Sequence, residues 1–275
     1  MRINASLMSQ QSAQNSKVQR SMSKILEKLS TGKRINRASD DAAGLAVAKR
    51  LEAMTRGYKR AGANISDAMS ALNIADGGAN ELTEILQRQR ELATQASNGT
   101  LTDTDREVLD REYQQLNQEL ERVVKSTQFN TMDLLSGQGP LADGTGVAQV
   151  GPGATEENQM NLPATDMTAA SVGWGGDIST VGGAQAALSI TSSALDNISE
   201  QRSTIGAQTN RLESAYRNNS TMEINTLDAQ SRLEDLDYAQ GLMDLARSNI
   251  LGQSGTNAQR YFMQVSQHTV MGLLQ

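Results

Sequence analysis

"ISDAMSALNIADGGANELTEILQRQRELATQA", residues 65–96, decides the fold. Ile65, Ala68, Leu72, Ala75, Ala79, Leu82, Leu86, Gln89, Ala93 and Ala96 recur at alternating intervals of three and four residues. That spacing lays a narrow, mostly apolar seam along a helix, as in helices packed side by side over many turns. Three further segments repeat it. Val18, Met22, Ile25 and Leu29 close a first seam, diluted upstream by Gln11 and Asn15. Leu109, Tyr113, Leu116, Leu120 and Val123 make a shorter third. The longest runs Leu188, Thr191, Leu195, Ile198, Arg202, Ile205, Thr209, Leu212, Tyr216. It continues less regularly through Leu236, Ala239, Met243, Ala246 and Ile250.

Punctuation between the seams agrees with helices. Asn98-Gly99 is a turn dipeptide, and Thr104 to Glu107 fits a capping box opening the third helix, so the second and third helices form an antiparallel hairpin. Between about 130 and 183 the period stops. All three prolines and 11 of the 23 glycines fall there, with the only tryptophan, Trp174. Short strands are expected around "GVAQVG" and "NQMNLP". The fold class is therefore mainly α: a long antiparallel helical bundle or coiled coil with a short irregular or β-hairpin middle.

Composition supports narrow seams over a bulky globular core. Only 3% of the 275 residues are aromatic, against 37% apolar in all, which suits long helices. The absence of cysteine excludes disulfides, thiolate nucleophiles and Cys-based metal sites. A single histidine, His268, has no defensible Ser/Asp partner and reads as a surface or interface residue. The first 20 residues lack the apolar run of a cleavable signal peptide, and no 18-residue apolar run spans a membrane. Charge is uneven. Residues 1–60 carry 13 Lys and Arg against four Asp and Glu, and no Lys or Arg lies between Lys125 and Arg202. A basic arm raises nucleic acid as a partner. Alternation of the bases with apolar residues at helical spacing, and acid elsewhere in the chain, argue for a solvated helix face instead.

"LSTGKRINRASDDAAGLAV" (29–47) interrupts the helices with Gly, Arg, Asn and paired Asp. It is not a phosphate loop, because Gly32-Lys33 is followed by Arg34 and no glycine lies five residues before Gly32. Asp40 and Asp41 are adjacent, so a helix does not aim them at one ion; a cap for the next helix is the better reading. Asp103-x-Asp105 lacks the glycine and closing Glu of a calcium loop. Glu234, Asp235 and Asp237 read as a solvated face. No enzyme constellation survives. A hydrolase hidden in the middle would need a base there, and that region has no His, Lys, Arg or Cys.

Several stretches, in order, resemble bacterial flagellin: "EKLSTGKRINRASDDAAGLAVAKR" (27–50), "ILQRQRELATQASNGT" (85–100), "STQFNTMDLL" (126–135), "QRSTIGAQTNRLESAYRNN" (201–219) and "SRLEDLDYAQGLMDLARSNILGQSG" (231–255). The resemblance covers about residues 1–135 and 184–275. It implies terminal inner helices plus linker (1–60 and 220–275), a rod-like helical domain (61–135 and 184–219), a short middle (136–183) and no large outer domain. It implies a self-assembling structural subunit of the extracellular flagellar filament, exported by the type III route without a cleavable signal peptide, with no catalysis, cofactor or metal. Its expected partners are copies of itself, the flagellar cap, the hook-associated junction protein and an export chaperone on the C-terminal helix, and not nucleic acid or a membrane span. Gly32, Arg34, Asn36, Asp40, Asp41 and Gly44 become linker and subunit-contact residues, with Asp40 and Asp41 capping the next helix and the arginines meeting acids. Val18, Met22, Ile25, Leu29, Leu236, Met243 and Ile250 become the seam on which the termini pair with each other and with neighbouring copies. The family's host-receptor patch, for Toll-like receptor 5, maps to Arg88, Leu92, Gln95 and Glu112; ordinary rod surface is the alternative there.

Three departures stand out. Thr131 follows Asn130 where the family usually has Gly, which puts the local turn in question. Arg260, Tyr261 and Phe262 interrupt an Ala-rich helix. The chain ends "VMGLLQ", with Gly272 weakening the last turn and Gln275 where Arg is common. A hook–filament junction protein shares similar termini and is the competing structural reading. A signalling coiled coil would require a membrane span or unbroken heptads.

Overall fold

The computed structural model describes residues 2–139, 143 and 145–273, and side chains from residue 9 to 265. Six helices dominate: α1 (Arg2–Thr31), α2 (Ala42–Ala96), α3 (Asp103–Ser126), the short α4 (Ala169–Val172), α5 (Val181–Glu234) and α6 (Tyr238–Leu273). Two small antiparallel hairpins interrupt them. In one, β1 (Gln128–Phe129) pairs with β2 (Met132–Asp133); in the other, β3 (Val147–Gln149) pairs with β4 (Gln159–Asn161). The second hairpin lies where "GVAQVG" and "NQMNLP" predict strands. The chain divides into two compact units, residues 1–53 with 225–275, and residues 54–224.

The unit 54–224 is built on the seam of α2. All ten predicted seam residues, Ile65 to Ala96, are buried. Most are Ala or Leu, so neighbouring helices approach closely and the core contains few rings. Tyr113, Leu120 and Val123 of α3 and Ala194, Ile198, Ile205 and Leu212 of α5 close on them. Tyr216, expected in the α5 seam, is exposed instead. The irregular middle contributes Leu134, Leu135, Leu162, Met167, Val172 and Ile178 to the same core. Two amides pin β3–β4 to the helices: Asn64 donates to the Gln149 carbonyl (3.4 Å) and Gln208 to the Asn161 carbonyl (2.5 Å).

Two local expectations change. The capping box of α3 is built on Thr102, not Thr104: the Thr102 hydroxyl accepts from Asp105 N–H (3.3 Å) and Asp105 accepts from Thr102 N–H (3.1 Å). The TQFN turn persists without glycine. Asn130 and Thr131 both adopt left-handed conformations, φ +50° and +64°, as a two-residue hairpin turn requires.

Candidate functional site: the terminal helix pair

α1 and α6 lie against each other within the unit formed by residues 1–53 and 225–275. Three glycines fix how. A Cβ added at Gly241 would lie 3.0 Å from Leu29 Cδ2, one at Gly252 3.7 Å from Val18 Cγ1, and one at Gly255 3.6 Å from Gln11 Nε2 and 3.8 Å from Asn15 Oδ1. Numbers fall along α1 as they rise along α6, an antiparallel register that seats Gly255 between Gln11 and Asn15, one turn apart. The predicted α1 seam, Val18, Met22, Ile25 and Leu29, is half-buried along this contact. The α6 side differs from expectation. Its covered face runs through Gly241, Leu245, Ser248, Gly252 and Gly255, all but Leu245 small enough to let the helices approach, while of the expected seam Leu236 is half-buried and Ala239, Met243, Ala246 and Ile250 are exposed. Met243 and Ile250 therefore do not pack on α1; they are 65% and 64% accessible.

That leaves α6 with an uncovered apolar surface. Of 19 exposed large apolar side chains among the described residues, nine are on this helix, including Tyr238, Leu242, Leu251 and the consecutive Tyr261, Phe262 and Met263. The helix carries only three charges, Asp244, Arg247 and Arg260. A helix this apolar on its free side has the character of a contact surface. The His268 side chain lies outside those described.

The linker after α1 is a cross-braced elbow. Gly32, at φ +69°, ends α1 in the left-handed conformation that glycine adopts without strain. Arg34 N–H donates to the Glu234 carbonyl (2.7 Å) and Leu236 N–H to the Gly32 carbonyl (2.9 Å), stapling the two linkers by their backbones. Lys33 Nζ adds an ion pair to buried Glu234 (3.0 Å). Contrary to the expectation that the arginines meet acids, Arg34 Nη2 donates to the Leu233 carbonyl (2.8 Å), while Arg37 does reach Glu27 (2.8 Å). The two aspartates split the work. Asp41 Oδ1 accepts from Gly44 N–H (2.8 Å) and caps α2. Asp40 does not cap α2; it accepts from Arg37 N–H (3.1 Å) and Asn36 N–H (3.3 Å), and these bonds hold its carboxyl below the ordinary value. Asn36 Nδ2 donates to the Lys33 carbonyl (3.5 Å). Gly44 is buried against Ile35, whose Cδ1 would stand 2.9 Å from any added Cβ. Every donor and acceptor named here is spent on geometry.

In the unit 54–224, Arg88 donates to Glu112 (2.7 Å) and Glu91 (3.0 Å), and Gln95 is exposed nearby along α2. Leu92 is 1% accessible and packs inside with Tyr113 and Ile178, so it is not a surface contact residue of this chain. Two structural devices escape the sequence reading. Buried Arg106 caps the end of α2, donating to the carbonyls of Ala96 and Asn98 (3.0 Å each) and pairing with Asp103 (2.9 Å). Tyr113 donates to the Gly175 carbonyl (3.1 Å), and burial followed by the Asp110 charge pushes its phenol up to about 12. Among the described residues no group of three acids, His or Cys is arranged to hold a metal, and no helix is long and apolar enough to cross a membrane.

Comparison with known proteins agrees along most of the chain. The bacterial flagellin N-terminal helical region matches residues 3–139 and the bacterial flagellin C-terminal helical region residues 188–274. The chain is 41% identical to a flagellin of Halalkalibacterium halodurans over 232 residues, 84% of each chain. It is 36% identical to the flagellar filament 31.3 kDa core protein of Treponema maltophilum over 263 residues, 92% of each. The crystal structure of Bacillus cereus flagellin superposes with a TM-score of 0.50 at 31% identity, covering 57% of this chain and 88% of that one. A putative flagellar hook-associated protein from Vibrio parahaemolyticus gives 0.57, covering 71% of this chain and 100% of that one; at 16% identity it shares the fold alone.

Proposed function

Because the chain belongs to the bacterial flagellin family, we propose that it is the repeating subunit of an extracellular flagellar filament and works as a structural protein. The observation that carries this is the uncovered apolar face of α6. One helix pair buries only the glycine side of α6; copies of the same chain cover the rest. Burial of each large side chain there contributes roughly 1.5–3 kcal/mol once a neighbour is present. A contact between different faces of successive copies propagates as a filament when its rotation does not close into a ring. Filament growth then couples ordering of the terminal helices to assembly, and the finished polymer transmits rotation without making or breaking a bond.

Relatives bearing filament-subunit names favour this reading over a junction protein. The cap, the hook-associated junction protein and an export chaperone seated on α6 belong to the same proposal, supported by that apolar face. Contact with Toll-like receptor 5 rests on the exposed Arg88 and Gln95 and the partly exposed Glu112, without Leu92. The reading is tested by electron microscopy of the full chain added to short filament fragments, beside a chain lacking residues 1–30 and 240–275. Elongation by the full chain alone supports it. Closed rings, or no growth from either, would replace it with the junction-protein reading.

A further inference from the structure

α1 carries a second surface that pairing with α6 leaves untouched. Successive helix positions turn by about 100°, so Lys17, Arg20 and Lys24 share a stripe about 60° wide on the side away from the α6 contact, while Lys28 faces Gly241 and Asp244 across a cleft. Lys17, Arg20 and Lys24 are exposed. Arg20 Nε donates only to the Ser16 carbonyl of its own helix (3.2 Å), and no ion pair joins these three to an acid among the described residues. Residues 1–26 contain no Asp or Glu at all, and the first acid, Glu27, is taken by Arg37. Resting on the filament reading, we infer that this basic stripe is an electrostatic docking surface for the acid-rich surface of a second copy of this chain.

The chain itself supplies the matching charge. Residues 54–224 hold 22 acids against 12 bases, and none of the bases lies between Lys125 and Arg202. A polymer of net-negative subunits, each −6, gains by placing the acid-free first 26 residues against a neighbour's acidic surface, and such complementarity fixes register and speeds encounter. The other anionic partners fit less well. A lipid surface needs apolar anchors, yet α1 contains no aromatic residue and its apolar side lies on α6. A nucleic acid would meet the chain's overall negative charge.

The test is seeded elongation, reading the chain concentration left unpolymerised, from about 10 mM to about 0.15 M NaCl, where the screening length falls from about 30 Å to about 8 Å. The native chain is expected to show a rise of roughly fivefold over that range. A Lys17→Gln, Arg20→Gln, Lys24→Gln variant should start at the higher value and show little salt dependence, with unchanged helix content by circular dichroism. The charge-keeping Lys17→Arg, Lys24→Arg variant should behave as the native chain. If the glutamine variant follows the native curve, the stripe is solvated surface and the inference fails while the filament reading stands. Stripe-dependent binding to phosphatidylserine vesicles with unaltered elongation would assign the stripe to lipid and also overturn it. Failure of the native chain to elongate at any salt would sink both readings.

Discussion

Lys33 Nζ stands 3.0 Å from Glu234 Oε1, joining the linker after α1 to the last residue of α5 across 201 positions of sequence. Glu234 is buried and Lys33 is partly exposed, so the pair is asymmetric: only the acid depends on its partner for solvation. Burial pushes the Glu234 carboxyl up, but hydrogen bonds from Gln230 and Lys33, with the charges of Lys33 and Lys49, hold it below the ordinary value. A carboxyl depressed in the folded state stabilises above its unfolded pKa and loses that contribution as pH falls through the folded one. Thermal unfolding followed downward from about pH 6 should therefore show a loss below the ordinary glutamate range, and Glu234→Gln should flatten that part of the profile. An unchanged profile in the variant would remove Glu234 as its source.

Thr131 holds a left-handed conformation, φ +64°, that a β-branched residue adopts only under strain. Thr131→Gly should raise stability by about 1 kcal/mol, read as an upward shift in Tm. A fall in Tm would mean that the Thr131 side chain contributes more than its backbone costs.

Arg106 is 4% accessible and serves two α2-end carbonyls and Asp103 at once. Arg106→Ala should cost about 2–3 kcal/mol in chemical unfolding. Arg106→Lys should recover only part of that, because an ammonium lacks the planar fork that spans two carbonyls. Full recovery by lysine would reduce the role to charge.

The glycine side of α6 predicts a graded series. Gly252→Ala places a methyl at ordinary contact distance from Val18, 3.7 Å, and should be tolerated. Gly241→Ala meets Leu29 at 3.0 Å and Leu236 at 3.3 Å, and should loosen the pair, read as faster limited proteolysis of α6. Equal behaviour of the two would argue that the register deduced from these contacts is wrong.

Why α2 was legible and α6 was not follows from what buries each. The α2 seam is read from apolar spacing, and every residue from Ile65 to Ala96 in that series lies inside. On α6 the intramolecular face is mostly glycine and serine around a single leucine, Leu245, which gives almost no hydropathy signal, so spacing selects Met243 and Ile250 on the exposed side. The cap of α3 slipped by two residues because Thr102 and Thr104 both stand three before an acid; the structure closes the box on Asp105. The division of labour between Asp40 and Asp41 depends on loop dihedrals and not on residue type. Arg106 could not be told from any surface arginine, since its burial comes from the turn folding over it.

The most direct measurement of the central claim is seeded elongation of a Met243→Glu, Ile250→Glu chain against the native one, both at matched helix content. Neither residue touches α1, so the variant should keep its fold and fail to extend filament ends, while native chain added to the same fragments grows. Native-rate elongation by the variant would contradict the account, because the uncovered face of α6 would then not be where subunits meet.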